Sequence, residues 1–147
     1  MKNIILNNGV VMPQFGLGTF KVEAGESAYE TVKTALKIGY RHIDTAIMYL
    51  NEADVARAIK DSGLKREEVF VTTKFVKLYD GNKELMRKDI EASFERLDLG
   101  YVDLILIHWP NVDKKVNQAA WSVLEEYYEK GLFKAIGVSN FQIHHLD

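Results

Sequence analysis

The chain predicts an α/β fold built on a parallel sheet, and three observations carry that reading. Short β-branched or apolar runs alternate with segments of helical periodicity from residue 15 onward. One run, VDLILI (102–107), is almost continuously apolar, as in strands covered on both faces. The intervening segments are long enough for right-handed βαβ crossovers.

The elements follow in order. Ile4, Ile5 and Leu6 pair with Val10, Val11 and Met12 across Asn7-Asn8-Gly9, and the Asn-Gly step predicts a hairpin with a type I′ turn. A short strand is expected over 15–18, ending in glycine. A helix follows over 27–38 with Ala28, Val32, Ala35 and Leu36 on one face, and Gly39 stands just beyond as a C-terminal cap. His42-Ile43-Asp44 reads as a strand. Residues 51–60 read as a helix with Val55 and Ile59 inward, stopped by Gly63. The β-branched and aromatic run 69–73 is a strand. A helix over 83–97 buries Met86, Ile90, Phe94 and Leu97. After the strand at 102–107 comes a helix over 118–129 with Ala119, Val123, Leu124 and Tyr127 inward. A fifth strand covers 135–138, and 141–147 opens another helix.

Two architectures satisfy this alternation, a doubly wound open sheet and a (β/α)8 barrel. Five strands in 147 residues suffice for the open sheet, whereas a barrel typically takes about 250 residues. Length and periodicity alone therefore favour the open sheet. Nothing marks an internal boundary, so 1–147 reads as one domain.

Composition narrows the function. The net charge is −2, without the basic excess that nucleic acid or anionic membranes call for. There is no cysteine, which excludes disulfides, thiolate nucleophiles and Cys-based zinc sites. No apolar run suits a signal peptide or a membrane span, so a cytoplasmic location is expected.

The chemistry-bearing residues gather at the carboxyl ends of the strands, where both architectures bind ligands. Thr19 follows the strand at 15–18, Asp44 ends the next with Tyr49 shortly after, and Lys74 ends the third. His108-Trp109 follow the fourth, and Ser139-Asn140 the fifth. Together they suit reduction of a carbonyl, whose oxygen needs a proton as it receives a hydride. A phenol alone ionises far above neutral pH. A lysine ammonium beside Tyr49 would stabilise the phenolate and bring it into use, with Lys74 the candidate and Asp44 its counterion. His108 could orient the carbonyl or share the proton.

The segments GYRHIDTA (39–46), MYLNE (48–52), TTK (72–74), LIHWP (106–110) and AAW with EKG and AIGVSNF (119–141) together resemble the aldo-keto reductases, in that family's order and spacing. The opening LNNGVVMPQFGLGTF resembles the family's N-terminal hairpin. The resemblance covers essentially the whole chain and overrides the open sheet. It implies a (β/α)8 barrel fold with an N-terminal hairpin, represented here by about five βα units, an incomplete barrel.

It further implies a tetrad of Asp44, Tyr49, Lys74 and His108, with Tyr49 as general acid and His108 positioning the substrate. Ser139 and Asn140 would bind the nicotinamide carboxamide. Thr19 would approach the nicotinamide, and Trp109 would line the substrate or cofactor pocket. The implied cofactor is NADPH, the substrate a small aldehyde or ketone, and no metal is required. Three departures stand out. Leu50 replaces the family's usual glycine after the tyrosine. Phe75-Val76 replace a usual Leu-Trp, which would alter the substrate pocket. The segments that grip the adenosine phosphate are not in this sequence. A truncated product is therefore expected, with self-association through exposed sheet edges as a way to cover them. The competing class is a catalytically silent fragment, or a nucleotide-sensing or scaffolding relative.

Other residues invite blander readings. His42 is expected to pack. His144 and His145, adjacent on a helix, are expected to point apart. Trp121 is expected in the core. Gly16 and Gly18 lack the third glycine of a dinucleotide loop and read as close-approach positions in the first barrel strand.

Overall fold

The computed structural model describes residues 2–146. Strands β1 (Asn3–Ile5) and β2 (Val11–Pro13) form the antiparallel hairpin. Its turn is not type I′, because neither Asn7 nor Asn8 takes a positive φ. Gly9 N–H donates to Leu6 O at 2.9 Å, Leu6 N–H donates to Val10 O at 2.9 Å, and Gly9 alone is left-handed at φ 86. That is the three-residue loop in which a type I turn is closed by a left-handed glycine. At the tip, Asn8 Nδ2 donates to Lys134 O at 2.9 Å, tying the hairpin to a strand 126 positions away.

The remaining elements alternate. They are β3 (Leu17–Gly18), α1 (Glu26–Lys37), β4 (His42–Asp44), α2 (Glu52–Lys60), β5 (Phe70–Phe75), α3 (Lys83–Leu97), β6 (Val102–Ile107), α4 (Lys114–Glu129), β7 (Phe133–Val138) and α5 (Ile143–Leu146). The first barrel strand is shorter than expected, and the fifth starts two residues earlier. Helix α4 begins four residues earlier because Asp113 caps it, accepting from Lys115 N–H at 2.8 Å. Of the final helix expected over 141–147, only Ile143–Leu146 is helical, and Asp147 lies outside the described residues.

Strands β3 to β7 make one parallel sheet in strict sequence order, each paired with the next. A doubly wound sheet reverses its order at a switch point, and this one does not. Successive right-handed crossovers in one direction put every helix on the same side, as in an arc of a (β/α)8 barrel. On that helix side lie two cores. Val32, Leu36, Ile43, Val55, Ile59 and Val71 pack beneath α1 and α2. Phe75, Met86, Ile90, Ile105, Leu124 and Phe133 pack beneath α3 and α4. Trp121 packs partly buried against the second core and donates from Nε1 to Glu125 at 2.9 Å.

The opposite face carries His42 at its lower end. Pro13 O can only accept, so His42 Nδ1 donates to it at 3.1 Å, and Nε2 accepts from Thr72 Oγ1 at 2.9 Å. His42 thus joins the hairpin to β5, and burial pushes its imidazole below the ordinary value. A Cβ on Gly16 would meet the His42 ring at 2.9 Å, whereas one on Gly18 would meet nothing within 4 Å. Of these two, Gly16 alone is a close-approach position.

Candidate active site

The site is assembled at the carboxyl ends of β4, β5 and β6. Asp44 closes β4, Lys74 is the penultimate residue of β5, and His108 follows β6 directly. Parallel register brings them together, with Asp44 opposite Thr72 and Lys74 opposite Leu106. Lys74 Nζ donates to Asp44 Oδ1 at 2.5 Å and to Thr45 O at 3.0 Å. The lysine is 7% exposed, so both acceptors are needed to offset its desolvation.

Tyr49 arrives from the 3-10 turn Ile47–Tyr49 that follows β4. Its ring centroid lies 5.2 Å from Lys74 Nζ. His108 meets the same ring edge-on, with centroids 5.7 Å apart, and Phe20 closes the other side at 5.3 Å. The four expected tetrad residues therefore form one cluster. Trp109 stacks on His108 and is half exposed at the rim.

Two forces push the His108 imidazole below its ordinary value. Burial is the larger and the Lys74 ammonium is the second, while Asp44 opposes them. The ring is thus neutral near physiological pH. Its Nδ1 is buried without a hydrogen-bond partner. A bare lone pair is the cheaper atom to orphan than an N–H, which assigns the proton to Nε2 and makes that edge the donor.

Ser139 and Asn140 follow β7. Asn140 Nδ2 donates to His108 O at 2.9 Å and to Ser139 Oγ at 3.1 Å, and Ser139 N–H donates to Ile107 O at 2.8 Å. Asn140 holds φ 61, a conformation asparagine tolerates better than most residues. Both residues stand beside the tetrad with polar groups at the strand ends.

Thr19 is fully buried beside Asp44, its hydroxyl shared between Asp44 O at 3.1 Å and Asn51 Oδ1 at 3.3 Å. Of the pair Phe75-Val76, strand alternation turns Phe75 into the helix-side core, where it is fully buried. The departure at Leu50 has a physical counterpart. Leu50 is left-handed at φ 60 and ψ 18 and is 80% exposed, a backbone that favours glycine. Away from the site, the His144 and His145 rings do not point apart. Their centroids are 3.9 Å apart, with His145 Nδ1 turned back to accept from Gln142 N–H.

Sequence reading missed Asn51 and Glu52, two buried polar hubs beside the tetrad. Asn51 binds the loop after β3, and Glu52 binds β5 and α3. Their presence in MYLNE was visible, but their partners are distant in sequence.

Comparison with known proteins accords with this geometry. A profile of the Aldo/keto reductase family matches residues 14–147. Glyoxal reductase of Bacillus subtilis (strain 168) is 54% identical over 142 residues, covering 97% of this chain and 50% of that protein. Methylglyoxal reductase DkgA of Escherichia coli (strain K12) is 43% identical over 145 residues, covering 97% and 50%. The crystal structure of an aldo/keto reductase from Brucella melitensis superimposes with a TM-score of 0.92 at 41% identity, covering 99% of this chain and 56% of that one. This chain spans about half the length of the relatives it matches.

Proposed function

This chain belongs to the aldo/keto reductase family, and from that premise we propose that it serves NADPH-dependent reduction of small aldehydes and ketones to alcohols. Dicarbonyls of the glyoxal and methylglyoxal kind are the leading substrates, by analogy with the relatives named above. The observation that carries the proposal is the buried Lys74 ammonium, clamped by Asp44 and Thr45 with its charge against the Tyr49 ring.

The residues present fit the nicotinamide end of such a cofactor. Ser139 and Asn140 offer hydroxyl and amide groups suited to a carboxamide, latched to the main chain of His108. When bound, the reduced nicotinamide supplies the hydride. Everything else falls to the chain. Tyr49 gives its hydroxyl proton to the oxygen that becomes the alcohol. Lys74 stabilises the phenolate left behind. Asp44 and Thr45 O keep the ammonium from swinging into solvent. His108, neutral with its proton on Nε2, donates to the carbonyl oxygen and fixes its direction. Trp109 and Phe20, both exposed at the rim, flank the entrance with apolar surface.

The test follows NADPH consumption with methylglyoxal for the protein and its Tyr49→Phe variant. The variant is expected to lose roughly 10²–10⁴ in kcat, the usual worth of a positioned acid. Equal rates would remove Tyr49 from its role. Absence of turnover in the unmodified protein would leave the silent-relative reading in its place.

A further inference from the structure

We propose that Asn51 is a positioning residue for the Lys74–Tyr49 pair, holding the two carbonyl-bearing residues on which the ammonium depends. The proposal rests on the catalytic reading above.

Asn51 occupies the N-cap of α2. An asparagine there ordinarily turns its side chain onto the free N–H groups of the first turn, which stabilises a helix by about 1 kcal/mol. Asn51 makes no such bond. Its side chain is fully buried and points the other way. Nδ2 donates to Thr19 O and to Val22 O, both at 3.1 Å. Oδ1 accepts from Thr45 Oγ1 at 2.8 Å and from Thr19 Oγ1 at 3.3 Å. Both amide protons are used and Oδ1 accepts the full Thr45 bond, with the one Thr19 hydroxyl proton shared between Oδ1 and Asp44 O. A local rule is thus set aside in favour of contacts on another element, the pattern expected where structure is committed to function.

The partners define what is held. Thr45 is the residue whose carbonyl accepts from Lys74. Thr19 donates from its N–H at 2.9 Å and from its hydroxyl to Asp44 O, and Asp44 is the other acceptor of Lys74. One amide therefore reaches position 45 through the Thr45 hydroxyl and position 44 through Thr19, which binds Asp44 O. It does so with a neutral group, where a carboxylate would compete with Asp44 for the ammonium. Left-handed Leu50 is the joint that turns the chain from Tyr49 to Asn51, so the general acid and its brace are one residue apart across a bend.

The experiment compares Asn51→Ala and Thr45→Val in the intact protein, with Asp103→Asn as control. Asp103 is a buried carboxylate near the start of β6, away from the site, bonded to Arg66 and Val71 N–H. For each protein one measures kcat, KM, the pH dependence of kcat, the thermal midpoint, and the Lys74 side-chain resonance in a selectively labelled sample. The Asn51 and Thr45 variants are expected to lose roughly tenfold to hundredfold in kcat, as small misplacements do. KM should stay near its original value, the pH profile should shift, and the Lys74 resonance should move. Their combined effect should be less than the product of the two. Asp103→Asn should lower the midpoint and move neither profile nor resonance.

If the site variants lose only thermal stability, with kcat and the pH profile unchanged in the folded protein, the brace is structural and the proposal fails. If Asn51→Ala does not fold, Thr45→Val decides by the same readouts. If the unmodified protein shows no turnover, the catalytic reading falls, and the Lys74 resonance alone decides: movement in Thr45→Val supports the brace, and an unchanged signal overturns it.

Discussion

Arg96 donates from both Nε and Nη2 to one carboxylate oxygen of Glu52, at 3.0 and 2.8 Å, while Glu52 itself is 1% exposed. The other oxygen accepts from Thr73 and Ser93 hydroxyls, each at 2.6 Å. The first residue of α2 thus clamps α3 and β5 through one charge. Glu52→Ala strands two hydroxyls and a guanidinium. With Arg96 41% exposed in its side chain and able to find water, the expected cost is about 2–4 kcal/mol. Urea denaturation would measure it, and a loss below about 1 kcal/mol would mean that the clamp is ornamental.

Leu50 is expected to gain from losing its side chain. A left-handed leucine costs roughly 1 kcal/mol relative to glycine, part of which glycine returns through its freer unfolded chain. Leu50→Gly should raise the unfolding free energy by about 0.5 kcal/mol, whereas Leu50→Ala, which keeps a Cβ, should not. A gain for alanine as large as for glycine would place the cost in the exposed side chain and not in the backbone.

Stability should decline on the acid side of neutrality. His42 and His108 are both held below the ordinary imidazole value of 6.5, chiefly by burial. The unfolded chain therefore takes up protons near pH 6.5 that the folded chain resists. Their contribution is complete above that pH and is lost as the pH falls toward the folded values. Thermal midpoints between about pH 7 and pH 5 should fall, and less steeply in His108→Gln. Parallel slopes in the two proteins would contradict the assignment.

Gly16→Ala and Gly18→Ala should behave differently although they are two residues apart. At Gly16 the new methyl meets both the ring and the carbonyl of His42, at 2.9 and 3.0 Å. The cost is expected at about 1–3 kcal/mol, as for other overpacked sites. Gly18→Ala meets open space and should stay within about 0.5 kcal/mol of the parent. Paired melting curves would decide.

The sequence made the repeating units legible because burial on the helix side imposes their period. Helix α3 and strands β4 and β6 fall where Met86, Ile90, Leu97, Ile43 and the 102–107 run put them. Strand order, and with it the choice of barrel arc over open sheet, was not in the periodicity and came only through resemblance. The clustered residues were legible because Asp44, Lys74 and His108 sit at strand ends and Tyr49 lies in the turn just after one. Asn51 was not, because its meaning lies in Thr19 and Val22, 32 and 29 positions away. The acceptors of the Thr19 hydroxyl were hidden for the matching reason, lying 25 and 32 positions away in Asp44 and Asn51. The turn at Asn7 and Asn8 failed because an Asn-Gly pair serves the two-residue and three-residue loops alike.

The bond from Asn8 to Lys134 has a consequence in time. The hairpin is local and can zip within microseconds. Its base is anchored early, by His42 on Pro13 O, but its tip reaches β7, so that second anchor encloses most of the chain in one loop and must wait until the strands between are paired. During synthesis the tip would lack its partner until residue 134 cleared the ribosome. Hydrogen exchange pulsed during refolding should find the hairpin amides protected after those of β5 and β6.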